Sequence, residues 1–157
     1  MKKILIIFIL VSIVFLLCVV FGYNAYIKII DNEYATKFSQ VFENYNINDI
    51  DSYFSDSTQF IYKEEKKSYR ELRYNIEKAC EKKCYEFFVG SSYGYGNDKF
   101  NQNFQRVNIK LSGNLHGENF GDCNISMVLE KIGLFSFKIH SVECDEEVFG
   151  EFFFSEH

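Results

Sequence analysis

The order of apolar and polar residues separates an N-terminal apolar segment from a patterned remainder. Residues 4–22 carry no charge and are almost wholly apolar. At a helical rise of about 1.5 Å per residue this segment spans roughly 28 Å, close to the thickness of a bilayer's hydrocarbon core. Lys2 and Lys3 precede it and Tyr23 and Tyr26 follow it, as the cytoplasmic and interfacial flanks of a membrane anchor do. The pattern predicts one transmembrane helix, with the N-terminus in the cytoplasm and the rest of the chain outside.

A cleaved signal is the alternative interpretation of this segment. A secretory signal needs a shorter apolar region, of about 7 to 15 residues, and small residues at the cleavage point. The nearest small residues, Gly22 and Ala25, are separated by larger ones. A lipoprotein would be modified at Cys18, but Leu17 stands where such a signal has a small residue. We therefore favour an uncleaved anchor in which Cys18 is an ordinary thiol.

Beyond the anchor the apolar spacing first predicts helices. One helical face is formed by Tyr34, Phe38, Val41, Phe42 and Tyr45. This amphipathic helix is expected to continue from the anchor through a short neck and to need a sheet to cover its apolar stripe. Asn48 or Asp49 can cap a short second helix, and residues 59–63 are predicted to form a strand.

A longer helix is predicted to begin at a capping box. The Ser68 hydroxyl and the Glu71 carboxylate can satisfy reciprocal backbone donors at its first turn. Its apolar face consists of Tyr69, Leu72, Ile76, Ala79, Cys80 and Cys84. A face of that width predicts that this helix packs on the core as well.

From Tyr85 onward the period changes to two, which predicts antiparallel strands with one buried face. The inward positions are Val107, Ile109, Leu111, Cys123, Ile125, Met127, Leu129, Phe135, Phe137 and Ile139. Val142 and Cys144 fall on the opposite parity, so we expect a bulge near His140 or Ser141 that bends the last strand.

Composition and charge indicate how large the folded domain is and which partners its net charge disfavours. Hydrophobic residues make up 47% of the chain and aromatic residues 18%, enough for the part beyond the anchor to fold as one domain. Lys2 and Lys3 precede the anchor, which leaves 15 of the 17 basic residues beyond it against 22 acidic ones, a net charge of about −7. That sign argues against nucleic acid and against anionic lipid as a docking partner, because both are bound through Lys and Arg.

The segment after the first predicted ectodomain helix resembles a known superfamily. Residues 48–60 read NDIDSYFSDSTQF, which is similar to the second helix, turn and first strand of nuclear transport factor 2-like proteins. Asn48 stands where that pattern has a glycine, and the segment is a few residues shorter. The order of helix, short helix, strand, long helix and strand meander agrees over residues 33–146. The resemblance implies an α+β fold, with a curved antiparallel sheet of about four to six strands closing as a cone over three helices.

Two kinds of function follow from this resemblance, because one fold hosts many. Some members are small-molecule enzymes or binders that use an Asp, often with His or Tyr, inside the cone. Others are non-catalytic binding domains, and membrane-anchored members resemble assembly parts of bacterial secretion and conjugation machines. Because the inward strand positions are apolar or thiol, we favour a non-enzymatic binding or scaffold domain with a protein partner in the envelope. Residues 1–30 would be cytoplasmic stub, anchor and neck, and residues 31–157 the extracytoplasmic domain.

No catalytic, cofactor-binding or metal-binding residue is assigned from the sequence. His116 lies at a predicted strand end and His140 on the outward parity, so both are expected to be solvated. The glycine-rich residues 90–96 lack the Lys-Ser/Thr and the following helix of a phosphate loop. They predict a flexible hairpin loop whose Tyr93 and Tyr95 are candidate partner contacts.

Four cysteines lie beyond the anchor: Cys80, Cys84, Cys123 and Cys144. In an extracytoplasmic domain they permit two disulfides in three possible pairings. Since Cys80 and Cys84 are expected to face the sheet, bridges from helix to strand are favoured over a bond within the helix. Free core thiols and a zinc site are the alternatives, although the spacing lacks the compact knuckle of structural zinc sites.

The acidic tail, residues 145–157, contains Phe152, Phe153 and Phe154 in a row. One interpretation is a final short strand or docking segment that covers the edge of the core. The other is an aromatic anchor for a partner, because exposed apolar clusters mark interfaces.

Overall fold

The computed structural model of the protein describes residues 2–43, 45–82, 85–95, 103–115, 118–133 and 136–155. Its helices are α1 (Lys2–Glu43), α2 (Ile47–Tyr53), α3 (Tyr69–Lys82) and α4 (Glu147–Phe154). Its strands are β1 (Gln59–Tyr62), β2 (Glu65–Ser68), β3 (Tyr85–Tyr95), β4 (Phe104–Leu115), β5 (Glu118–Lys131) and β6 (Phe137–Glu143). The predicted α+β class and order of elements are confirmed, and β2 and α4 are additions to them.

Helix α1 runs without a break from the apolar segment into the folded domain. Its 42 residues join the expected anchor, neck and first amphipathic helix in one element. Phe15 and Phe21 in its first half are 70% and 69% exposed, whereas Phe38 and Phe42 in its second half are 1% and 3% exposed. The helix is long and apolar enough to cross a membrane.

The six strands form one sheet in the order β2-β1-β6-β5-β4-β3. Neighbouring strands are antiparallel, except that β1 and β6 run parallel and pair Phe60 with Val142. The expectation of a wholly antiparallel sheet therefore needs one correction. The last strand returns to the middle of the sheet and pairs with the first, and this long-range return leaves no mark in the local periodicity.

A two-residue turn joins β1 to β2. Tyr62 pairs with Glu65, and the residues between them, Lys63 and Glu64, have positive φ values of 45° and 71°. This is the geometry of a type I′ turn, which usually contains Asn or Gly. The Lys63 N–H donates a hydrogen bond to Asp145 Oδ1 at 3.2 Å and so ties the turn to the chain after β6.

The expected bulge in the last strand is confirmed. Val128 pairs with Ser141, while the next residue, Leu129, pairs with Ile139. His140 is therefore an extra residue in β6. A bulge of this kind increases the local twist and reverses the side-chain parity beyond it, so β6 can follow the helices that it covers.

Local capping sets where the two middle helices begin. The Asn46 side chain accepts a hydrogen bond from the Asn48 N–H at 3.0 Å, so α2 is capped two residues before the expected Asn48. The capping box before α3 is confirmed, because Glu71 Oε2 accepts from the Ser68 N–H at 2.7 Å. The Glu71 N–H in turn lies 3.4 Å from the Ser68 hydroxyl.

The core lies between one face of the sheet and the helices, and α4 closes it. Phe152 and Phe153 of α4 stand 5.3 Å and 5.7 Å from the Phe42 ring, centroid to centroid. At Gly150 a Cβ atom would overlap the far end of the Tyr62 ring, so a larger residue there would require that ring to move away from α4.

Candidate functional site

The described part of the cone interior is a packed core. The strand side chains buried there are Val107, Ile109, Leu111, Cys123, Ile125, Met127 and Leu129. Opposite them lie Phe38, Phe42, Ile50, Phe54, Leu72 and Ile76 from the helices. Most of them lie on the faces that the two periodicities predicted, and together they pack the described part of the interior.

The tail contributes to this filling. Phe152 and Phe153 are each 1% exposed, so they form part of the chain's own core and have no surface to offer a partner. Phe154 is partly buried beside Tyr62, with ring centroids 5.6 Å apart. Of the two interpretations of the tail, the structure agrees with the segment that docks on the core. The segment is a helix because its apolar residues recur at helical spacing.

A groove on the outside of the domain is the candidate binding site. It lies between α1, α2 and the start of β6, and we call it the α1–α2 groove. Its main hollow has a volume of about 330 Å³ and is lined by Tyr34, Lys37, Ser52, Tyr53, Phe54, Ser55, Phe137, Lys138 and Ile139. A second hollow of about 320 Å³ shares Lys37, Ser52 and Tyr53 with it and extends the groove between the two helices.

The charges on the rim of the groove are balanced. Lys37 Nζ lies 2.8 Å from Glu33 Oε1, one helical turn earlier. Lys138 Nζ lies 3.0 Å from Glu130 Oε2 on the neighbouring strand. With both ammonium groups paired, the groove presents alternating charge and the exposed Ser52 hydroxyl, an arrangement suited to polar contacts with a polypeptide.

Two tyrosines form the floor of the groove. The Tyr34 hydroxyl donates a hydrogen bond to the Phe137 carbonyl at 2.8 Å, and the Tyr53 hydroxyl donates one to the Tyr34 carbonyl at 2.6 Å. Burial raises the pKa of both phenols, so both stay neutral donors near neutral pH. Because the hydroxyls are committed to backbone carbonyls, the groove presents the rings themselves to a ligand.

A second polar cluster joins α2 to α3, and we call it the α2–α3 clamp. The Tyr69 hydroxyl donates to Asp51 Oδ1 at 2.7 Å, and Arg73 donates to both carboxylate oxygens at 2.9 Å and 2.8 Å. The hydrogen bonds from Arg73 hold the pKa of Asp51 below its usual value, and burial raises the pKa of Tyr69. The resemblance implied that a catalytic member would use an Asp, often with a Tyr. Here the Asp51 carboxylate accepts hydrogen bonds from Tyr69 and Arg73.

The cysteines meet differently from the favoured pairing. Cys80, Cys123 and Cys144 are buried free thiols and Cys18 is exposed, while Cys84 lies outside the described residues. The sulfurs of Cys123 and Cys144 lie 3.1 Å apart. Two strand cysteines therefore come together, where the sequence favoured a helix with a strand. The bulge in β6 is the reason, because it reverses the parity and turns Cys144 to the face that carries Cys123.

The glycine-rich segment is a strand up to Tyr95, which corrects the expected loop. A register shift between Val89 and Ser91 takes up the extra residue, and pairing with β4 continues as far as Tyr95 opposite Arg106. The side chains of Tyr93 and Tyr95 lie outside the part of the chain that the structure describes, so their role as partner contacts stays a prediction.

His140, the one histidine among the described residues, does not line the groove. His140 is exposed, with Nδ1 3.9 Å from Glu130 Oε2 and its ring 5.0 Å from that of Phe104. His116 lies outside the described residues. Within the described ranges, no group of three or more His, Cys, Asp or Glu side chains is placed to hold a metal ion.

Sequence reasoning did not find the groove. Lys37, Ser52 and Lys138 come from three elements that are distant in the chain, and each is an ordinary exposed polar residue where it stands. The clamp likewise joins Asp51 to Arg73 across 22 positions. No spacing rule links such residues, and only the packing of α1 and α2 against the sheet brings them together.

Comparison with known proteins identifies the fold. No family model and no curated protein matches the chain, whereas 45 chains of solved structures do. A protein of unknown function with a cystatin-like fold from Nostoc punctiforme aligns over 76% of this chain and 88% of its own, at 13% identity and a TM-score of 0.56. A domain of unknown function with the same fold, from the same organism, covers 72% of each chain at 15% identity and a TM-score of 0.54.

A nuclear transport factor 2-like protein of unknown function in nutrient uptake, from Rhodospirillum rubrum, aligns over 73% of this chain and 95% of its own. The identity is 10% and the TM-score 0.51. At these identities the likeness establishes the fold alone. The chain has the nuclear transport factor 2-like, or cystatin-like, fold, as the resemblance of residues 48–60 implied.

Proposed function

We propose that this protein is a membrane-anchored, non-enzymatic binding or scaffold domain on the extracytoplasmic side of a cell envelope, and that it holds a protein partner in the α1–α2 groove. The observation that carries the proposal is the unbroken helix α1, whose apolar half passes into its buried half without a linker. A domain carried on a helix keeps a set height and orientation above the membrane. An assembly part needs that constraint, and a diffusing enzyme does not.

The helix sets the height of the groove. Tyr34, at the anchor-facing end of the groove, follows Gly22 by twelve residues, which is about 18 Å along a helix axis. The headgroup layer extends roughly 6 Å beyond the hydrocarbon core. The groove then opens roughly 10 Å above the headgroups, within reach of the membrane-proximal part of another envelope protein.

The lining of the groove supports a polypeptide as the partner. Paired lysines, serine hydroxyls and the Tyr53 ring offer mixed polar and aromatic contacts of the kind found in protein interfaces. The close packing of the described part of the interior supports the same choice, because it favours binding on the outer surface. A secretion or conjugation assembly is one setting that would supply such a partner, proposed on the superfamily resemblance alone.

Cysteine labelling of intact cells tests the topology. A cysteine introduced at the exposed Ser57, in the turn before β1, should react with a membrane-impermeant maleimide in intact cells. A matched cysteine at Lys3, in the cytoplasmic stub, should react only after permeabilisation. The reverse order of labelling would place the domain in the cytoplasm and end the proposal.

Site-specific crosslinking tests the groove. A photoreactive amino acid at Lys138, in the groove, should give a discrete protein adduct in native membranes. The same amino acid at Lys110 should give no adduct. Lys110 lies on β4, outside the groove, and its Nζ atom is 2.6 Å from Asp122 Oδ2. Ser52→Trp, which fills the groove, should abolish the Lys138 adduct. Equal adducts from both positions, or an adduct indifferent to Ser52→Trp, would show that the partner binds elsewhere, and the adduct's identity tests the assembly hypothesis.

A further inference from the structure

Two buried sulfurs face each other in the middle of the sheet. Cys123 lies on β5, Cys144 directly follows β6, and their Sγ atoms are 3.1 Å apart. Both residues are only 2% exposed. Ser126 pairs with Glu143 in the last rung of this ladder. One further step sets Cys144 opposite Ile125, which makes Cys123 its diagonal neighbour on the same face, and the 3.1 Å between the sulfurs shows that the two side chains point toward each other.

We infer that Cys123 and Cys144 are a disulfide-forming pair, which an extracytoplasmic oxidant converts into a covalent bridge between β5 and the segment after β6. A disulfide bond is about 2.05 Å long, so the sulfurs have to approach by about 1 Å. The Cys144 N–H donates a hydrogen bond to the Ile61 carbonyl at 3.1 Å, which holds this segment beside β1. Among the cysteines that the structure describes, no other two sulfurs are in contact.

The two thiols ionise as a coupled pair. The contact with Cys144, together with burial, raises the pKa of the Cys123 thiol. The thiolate is the nucleophile in thiol–disulfide exchange. In the closed core, therefore, Cys123 is held as a neutral thiol.

The oxidant is an organic disulfide, R–S–S–R, carried by a thiol oxidase or a small molecule. One of the two protein thiolates attacks one sulfur of the oxidant, forms a mixed disulfide and releases one R–S⁻. The other protein thiolate then attacks the protein sulfur of that mixed disulfide, forms the Cys123–Cys144 disulfide and releases the second R–S⁻. The two cysteines lose two electrons and two protons, and the oxidant leaves as two R–SH. Because both sulfurs are buried, the exchange takes place before this edge of the core has closed.

The bridge should have a measurable effect on stability. It joins positions that are 21 residues apart and so restricts the unfolded chain. For a domain of this size, reduction of the bridge should lower the Tm by about 10 °C. The Tm of the Cys123→Ala and Cys144→Ala variants should not respond to reductant. Cys80→Ala, a matched change at a buried thiol on α3, should keep the full response.

Peptide mapping of the full-length protein in detergent decides the pairing. The protein is refolded with excess oxidised glutathione, alkylated in acid-quenched buffer and digested with trypsin, which puts the four cysteines beyond the anchor on separate peptides: 79–82, 84–99, 111–131 and 139–157. The expected product is 111–131 linked to 139–157. If both peptides are recovered alkylated, or linked to 79–82 or 84–99, the inference is overturned. The result requires no variant to fold.

The occurrence of the bridge in cells rests on the extracytoplasmic placement proposed above. A second measurement distinguishes a failure of the cysteine pairing from a failure of the placement. The same mapping is done on cells quenched directly in acid. If the link forms with glutathione and is also present in cells, the pair and the placement are both supported. If the link forms with glutathione but cells hold only free thiols, the pair stands and the placement fails.

Discussion

The two halves of α1 put the same kinds of side chain into opposite surroundings. Phe15 and Phe21 in the first half project from the protein, while Phe38 and Phe42 in the second half lie under α2 and α4. The first half is apolar on every side, and the second half is apolar on one stripe with charged residues such as Lys37 on the other. One helix thus carries the pattern of a membrane span and then that of a core helix.

The comparison shows that the distribution of apolar residues around a helix, and not their number, decides what covers it. An apolar stripe on one side of a helix can be covered by one sheet or one layer of helices. Here the tail helix α4 completes the cover over the second half of α1. A helix that is apolar all round has to be covered on every side, either by other protein or by lipid. Because the two patterns meet without a break, α1 joins the domain directly to a segment that is apolar enough to span a membrane.

The largest effect is expected from charge in the first half. Ile9→Arg combined with Ile13→Arg places two guanidinium groups near the middle of the span, at about 3 kcal/mol each. The protein should then be lost from the membrane fraction after alkaline carbonate extraction. Ile29→Arg, at an exposed position in the neck, is the control and should remain membrane-bound. Retention of the double variant would remove the contrast between the two halves.

The next effect is on the core half. Phe38→Ala should lower the free energy of unfolding by about 3 to 5 kcal/mol, because it opens a cavity in a closed aromatic cluster. The measurement is chemical denaturation of the full-length protein in detergent, followed by circular dichroism. Phe15→Ala, the same change in the lipid-facing half, should leave the domain's transition unchanged. Equal losses from both variants would mean that the domain half packs on the anchor.

A smaller effect is expected from a single hydroxyl. Tyr34→Phe removes the hydrogen bond to the Phe137 carbonyl and should cost about 1 kcal/mol of stability. The matched change in the exposed half is Tyr23→Phe, which should cost nothing measurable. Denaturant midpoints of the two variants compared with the wild type check both values. No difference between them would show that the Tyr34 contact does not tie α1 to β6.

The smallest effect is expected from Asp51 in the α2–α3 clamp. Removing its charge leaves α1 unchanged but weakens the attachment of α2, against which the second half of α1 packs. The pKa of Asp51 lies below its usual value in the folded chain, so this carboxylate adds stability above its unfolded pKa, near 3.9. That stability is lost as the pH falls through the lower folded pKa. Asp51→Asn should therefore lower the Tm at pH 7 by a few degrees at most, because the ion pair is partly exposed.

The pH dependence is what identifies the clamp. The Tm values of the wild type and Asp51→Asn should begin to converge as the pH falls below about 4 and should meet below the lower folded pKa, because only there is Asp51 protonated in both the folded and the unfolded wild type. Asp49→Asn, in the same helix but outside the clamp, should follow the wild type throughout. A deficit in Asp51→Asn that persists unchanged at low pH would assign the effect to packing and not to the charge.

The features that could be predicted were those written in local spacing. The nineteen-residue apolar run, the stripe through Phe38, the capping box at Ser68 and the bulge at His140 were all legible, because helices and strands have fixed periods and caps sit at fixed offsets. The β1–β2 hairpin was not predicted. Its turn uses Lys63 and Glu64 at positive φ, where the expected signal is Asn or Gly.

The candidate site could not be predicted from local spacing. The groove needs Lys37, Ser52 and Lys138 at one place, and the sulfur contact needs Cys144 beside Cys123. These are contacts between elements, and many pairings of the same elements share the same periodicities. The cysteine prediction chose a helix-to-strand bridge for that reason, since spacing showed which cysteines face inward but not which of them meet.

By itself, then, the sequence determined which residues face the core, which segment is apolar on every side, where α3 begins and where the last strand bends. These properties depend on the chemistry of residues within a few positions of one another. The tertiary structure decided that β6 inserts between β1 and β5, that the Phe152–Phe154 tail closes the core, and that a groove forms between α1 and α2. Those outcomes depend on the closure of the whole chain, in which burial is non-directional and only the fit of distant surfaces selects one arrangement.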